Sequence, residues 1–77
     1  MSEYVAKAFV VFVNVPAEDG QSLREIFVVG CSTREEAEAT IKGLYPSEKR
    51  VRPFALALSA RETEELQLAA GEIRRGQ

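Results

Sequence analysis

From Tyr4 to Val15 nearly every position is apolar: Val5, Phe9, Val10, Val11, Phe12, Val13 and Val15 stand in the run, with Lys7 and Asn14 as its polar side chains. β-Branched and aromatic residues in such a run predict a long strand. One face carries Val5, Phe9, Val11 and Val13, and the other Ala6, Ala8, Val10 and Phe12. A strand apolar on both sides belongs in the middle of a sheet. The segment Pro16-Ala17-Glu18-Asp19-Gly20-Gln21 is turn chemistry, because proline pre-sets φ and Asp-Gly tolerates positive φ. Leu23 to Val29 then predicts a second strand, closed by Gly30, so that the two form a hairpin.

The period changes after Gly30. Ser32 with Glu35, or Thr33 with Glu36, has the spacing of a capping box. Ala37, Ile41, Leu44 and Tyr45 follow at helical spacing, and Pro46 stops the helix. Ser47 to Arg50 is a polar connection. Val51 to Leu58 predicts a third strand, with Phe54, Leu56 and Leu58 on one face and the smaller Val51, Pro53, Ala55 and Ala57 on the other. Pro53 removes a ladder donor, which suits an edge. Ser59-Ala60-Arg61-Glu62 is another capping box, and Leu66, Ala69, Ala70 and Ile73 predict a second helix. Gly71 weakens its end, so the helix either reaches Ile73 or stops near Leu68 and leaves Glu72 to Arg75 as a tail.

The order ββαβα predicts an α+β fold in a single domain over residues 1–77. A helical crossover returns the third strand parallel to the second, where it pairs most easily with the first. The expected sheet is three-stranded and antiparallel, in spatial order 2-1-3, with two helices packed on one face. The other face then lies open, and it is too apolar for a solvated surface. An apolar patch of that kind marks a contact site. In the competing arrangements the C-terminal tail folds over the open face, or the helices split between the two faces.

Composition narrows the chemistry. Hydrophobic residues make up 45% and charged residues 29%, the mix of an ordinary globular domain. The formal net charge of −2 speaks against a strongly basic nucleic-acid binder. Histidine is absent and Cys31 is the single cysteine, which removes Ser-His-Asp and Cys-His pairs and a thiolate zinc cluster within one chain. No glycine pattern forms a phosphate-cradling loop. The carboxylate clusters Glu35-Glu36-Glu38 and Glu62-Glu64-Glu65 sit at helix starts, where capping and the helix dipole account for them. No catalytic residue, cofactor or metal is therefore expected. The opening residues carry no signal-peptide pattern, no stretch has the length of a membrane helix, and a lone thiol suits a reducing cytosol, so a cytoplasmic location is expected.

A basic stretch, Lys49-Arg50-Val51-Arg52, enters the third strand, and Arg74 and Arg75 add a second cluster. Charges there protect a sheet edge, form the rim of a protein interface, or grip a phosphate backbone.

The stretch Val28 to Ala37, Val-Val-Gly-Cys-Ser-Thr-Arg-Glu-Glu-Ala, is faintly similar to the strand-to-helix passage of HicB-type antitoxins, where Gly-Cys precedes a Thr-x-Glu-Glu-Ala helix start. The proline- and aspartate-bearing segment that precedes Gly-Cys in that family is missing here. In size and charge the chain also resembles small phage and plasmid inhibitors, including anti-CRISPR proteins.

The leading expectation is a non-catalytic protein-binding module, such as an anti-CRISPR-like inhibitor that sterically blocks a larger nucleoprotein complex. Its anchors would be Phe9, Val11, Phe12, Ile26 and Phe27, with Lys49, Arg50 and Arg52 on a charged rim. The partner is another protein or a second copy, as a homodimer through the sheet. The alternative is a small nucleic-acid-binding or antitoxin-like regulator that uses the basic loop 49–52, with Arg74 and Arg75. A small-molecule or enzymatic role would have Cys31 as its best nucleophile.

Overall fold

A strand greasy on both sides has to be sheltered on both sides, and that requirement organises the chain. In the computed structural model, which describes residues 4–16, 20–47 and 50–76, strand β1 (Ala8–Pro16) pairs antiparallel with β2 (Ser22–Gly30) on one side and with β3 (Phe54–Ala57) on the other. The hairpin register sets Ala8 against Gly30 and Pro16 against Ser22. Gly20 has φ +83°, which an L side chain rarely adopts. The rest of the predicted turn, residues 17–19, lies outside the described residues.

The sheet differs from the expectation in having four strands, in the order β3-β1-β2-β4. β4 (Ile73–Arg75) is the segment read as helix or tail, and it pairs antiparallel with the outer side of β2. The helical spacing of Leu66, Ala69, Ala70 and Ile73 does not produce a helix that far. Helix α2 (Ala60–Leu66) ends at Gln67, which turns left-handed at φ 51°, and Gly71 at φ +79° redirects the chain into β4. The capping box at the α2 start forms: Ser59 accepts from the Glu62 amide at 3.1 Å, and Glu62 accepts from the Ser59 amide at 3.1 Å. Helix α1 (Arg34–Lys42) is capped by Thr33, which accepts from the Glu36 amide at 3.2 Å, so the later of the two possible boxes supplies the cap.

The side chains of β1 alternate between two layers. Phe9, Val11 and Val13 point into a core with Phe27, Val29, Val51 and Ala55, and α1 closes that core with Ala37 and Ile41. The small side of β3 faces the helix, which lets α1 approach. Tyr45 packs partly against this core while Leu44 is exposed, so the predicted helical stripe is interior at Ala37 and Ile41. Replacing fully buried Ile41 by alanine would cost about 2–5 kcal/mol.

The expected packing of both helices on one face is not found; they split between the two faces, the competing arrangement. α1 lies against β1, β2 and β3. The α2 residues Glu62, Glu65 and Leu66 instead border a shallow hollow with Val10, Val28 and Leu58, which belong to the opposite face. The link between β3 and α2 is short: β3 ends at Ala57 and Ser59 already caps α2. Beside α2 the chain is closely packed. The Val5 amide donates to the Leu68 carbonyl at 2.8 Å, and a Cβ built on Gly30 would stand 2.7 Å from the Ala69 carbonyl oxygen.

β3 is the predicted edge strand. Leu58 donates to the Ala8 carbonyl at 3.0 Å, so by alternation the Ala55 amide points away from β1. It donates to the Glu38 carboxylate of α1 at 3.2 Å.

Candidate functional site

The register defines the open face. Val10 stands opposite Val28 and Leu56, and Phe12 opposite Ile26 and Phe54. These six side chains form a continuous apolar surface three strands wide. Phe54 and Leu56 are 47% and 45% exposed, and Val10, Phe12, Ile26 and Val28 are half-buried. Val10 and Val28 border a hollow with Leu58 and Leu66, and Gly76 lies close against Ile26.

Each end of this surface has its own charge. At one end α2 rises beside Val10 and Val28 and presents Glu62 and Glu65, while the arginines there, Arg61 and Arg74, are paired with Glu65 and Glu72. At the other end Arg24 and Arg52 flank Asn14, Phe12 and Phe54. The two ends are about 13 Å apart, the rise of four strand residues. Among the described residues Arg24 and Arg52 make no ion pair. Glu65 is 3.5 Å from Arg61 at the surface, and hydrogen bonds from Ser59 hold the Glu62 carboxyl below the usual carboxylate range.

The expected anchors separate cleanly. Phe9, Val11 and Phe27 are 8%, 0% and 5% exposed and belong to the core under α1, which withdraws them from any contact surface of the folded chain. Phe12 and Ile26 are on the open face. Arg52 stands at its basic end, Arg50 is exposed, and Lys49 lies outside the described residues. Sequence reasoning missed Val10, Val28, Phe54, Leu56 and Arg24. The available signal was the small face of β3: the side bearing Val51 and Ala55 has room for a helix, so the side bearing Phe54 and Leu56 is the outer one.

The C-terminal arginines are engaged within the fold. Arg74 is 2.6 Å from Glu72 and also donates to the carbonyls of Leu66 and Gln67. Arg75 pairs with Glu25 at 3.4 Å and lies over the Phe27 ring, 5.8 Å from its centroid. They do not extend the basic loop into a common cationic surface.

Cys31 is half-buried, and its thiol donates to the Thr33 carbonyl at 3.3 Å. Burial and the Glu36 carboxylate push its pKa above the ordinary thiol value, the opposite of what a nucleophile needs. Among the described residues no group of three or more Cys, Asp or Glu side chains is placed to hold a metal ion, and no helix is long and apolar enough to cross a membrane. No family model matches the sequence, and no curated protein or solved structure is significantly similar to it.

Proposed function

We propose that the chain is a non-catalytic protein-binding module whose contact surface is the open face of the sheet. The observation that supports this reading is the exposure of Phe54 and Leu56 beside Val10, Phe12, Ile26 and Val28, with α2 standing at one end of these residues. Solvated sheet faces alternate toward polar side chains, and contiguous apolar patches on soluble domains mark contact sites. Aromatic anchors bordered by arginines are also the composition of binding hot spots. A steric inhibitor of a larger assembly is one use of such a surface.

The test is photo-crosslinking from two positions. A benzophenone side chain at Leu56 on the open face is expected to give protein adducts in cells of the native host. The same group at exposed Ala39 on α1 is expected to give few. Equal yields from the two positions would overturn the reading.

One cluster favours a second reading. Phe12 and Phe54 lie beside Arg24, Arg52 and Asn14, and aromatic rings on a sheet with flanking cations can stack single-stranded bases. That reading requires adducts to nucleic acid from position 56.

A further inference from the structure

The two ends of the open face differ in charge and in relief. Its acidic end, Glu62 and Glu65, is carried by a helix that stands above the sheet, and among the described residues no helix borders its basic end, Arg24 and Arg52. A two-fold dimer joined through this face has its axis in the plane between the two sheets, and that axis can run along the strands or across them. Along the strands, arginine pairs would face arginine pairs and the two α2 helices would collide. Across the strands, the direction of each sheet reverses relative to its mate. The α2 ridge of one copy then settles over the arginine end of the other, twice by symmetry.

We propose that a second copy of this chain covers the open face, related by a two-fold axis at right angles to the strands, with Arg24 and Arg52 of each copy facing Glu62 and Glu65 of the other. The proposal rests on the reading of this face as a protein contact surface. Phe12, Ile26 and Leu56 form the apolar centre near the axis, Phe54 stands at the border with Arg34 stacked on its ring, and the charged groups form the rim and select the orientation. Electrostatics and shape, both set by the position of α2, select the same axis. Six apolar side chains make a small interface, so the dimer is in the reversible, micromolar class rather than the obligate one.

The experiment is sedimentation velocity on the full chain from about 1 to about 500 µM. The wild type is expected to pass from monomer to dimer across this range. Two variants carry the charge argument. R24E/R52E makes both ends acidic. E62Q/E65R makes both ends basic, and glutamine at position 62 keeps the capping-box geometry. Each alone is expected to raise the dimer dissociation constant about tenfold or more, and their equimolar mixture is expected to restore dimer formation. Circular dichroism of each variant checks that the fold is kept.

A wild type that stays monomeric throughout, or a dimer indifferent to both variants, would overturn the self-association. If position 56 still crosslinks a protein of different mass, the contact-surface reading stands and only the identity of the occupant fails. If the monomer instead binds a single-stranded oligonucleotide and R24E/R52E abolishes this, both proposals fail.

Discussion

Arg74, on the open side of β4, donates to the carbonyl oxygen of Leu66, the last residue of α2, at 2.7 Å. The same guanidinium reaches Gln67 at 3.2 Å, and Glu72 holds it from the other side at 2.6 Å. Glu72 in turn accepts from the Ala69 amide at 2.9 Å. One planar fork therefore caps a short helix and fastens the last strand to it. This accounts for the order of a three-residue strand at the edge of the sheet.

Replacing Arg74 by alanine is expected to cost about 1 kcal/mol, toward the low end for charge-assisted bonds because the group is partly exposed. Lysine should recover little, since an ammonium cannot span two carbonyls in the fork geometry. Thermal unfolding measures the loss. Faster hydrogen exchange at the Gly30 and Gly71 amides, which bond across the β2–β4 junction, would locate it.

Gly30 and Gly43 should respond in opposite ways to alanine. At Gly30 a Cβ would meet the Ala69 carbonyl oxygen at 2.7 Å and Val5 at 3.0 Å, so backbone must move. A cost of about 1–3 kcal/mol is expected from overpacking. Gly43 has helical φ −63° and its nearest neighbour is at 3.4 Å. There alanine is expected to be neutral or to add about 0.5 kcal/mol by narrowing the unfolded ensemble. Urea midpoints of the two variants check the contrast.

The polar groups at the start of α2 differ in what they contribute. Ser59→Ala removes the cap and should cost about 1 kcal/mol. Buried Thr63 donates its hydroxyl to the Ser59 carbonyl at 2.8 Å, but that carbonyl also accepts the Thr63 amide at 3.0 Å. Valine fills the same space and leaves the carbonyl satisfied, so Thr63→Val is expected to change stability by less than about 1 kcal/mol, with Thr63→Ala clearly worse. Chemical denaturation of the three variants ranks them.

Stability should fall at both extremes of pH. Hydrogen bonds from Ser59 lower the Glu62 pKa, and the Ala69 amide and Arg74 lower that of Glu72. The folded chain therefore binds fewer protons than the unfolded one. The stabilisation is complete above the ordinary carboxylate value, about 4.3, and is lost as pH falls through the depressed values. Cys31 runs the other way. Burial and Glu36 raise its pKa, so its contribution is complete below the ordinary thiol value, about 8.5, and declines as pH rises through the raised one. Urea midpoints measured across pH should drop less steeply in acid for E62Q/E72Q and less steeply in alkali for Cys31→Ala.

Much of the fold could be read from local chemistry. β1 is central because its two faces are equally apolar, β3 is at an edge where Pro53 costs no ladder bond, and Ser59 with Glu62 announces α2. β4 could not be read in the same way. Ile73, Arg74 and Arg75 are too few to show a strand period, and Ile73 completes an accidental helical spacing with Leu66, Ala69 and Ala70. The left-handed turn at Gln67 that cuts this spacing is a backbone event at a residue with no special preference for it. The candidate site was legible as a property of the sheet and not as a set of residues. Phe9 and Phe12 are equally hydrophobic, and only the seat of α1 over the small side of β3 decides which of them is buried. Arg24 and Arg52 are far apart in sequence and are brought to either side of Asn14 by the pairing of β2 and β3 with β1.

The carboxylate that Glu38 places on the Ala55 amide has a consequence for how these molecules can accumulate. An unoccupied strand border invites addition of strand after strand and ends in fibrils. Here a side chain from the neighbouring helix already fills one docking point on that border, and Arg34 stacks over Phe54 beside it, 5.0 Å from the ring centroid. Lateral growth from this border is therefore disfavoured at Ala55.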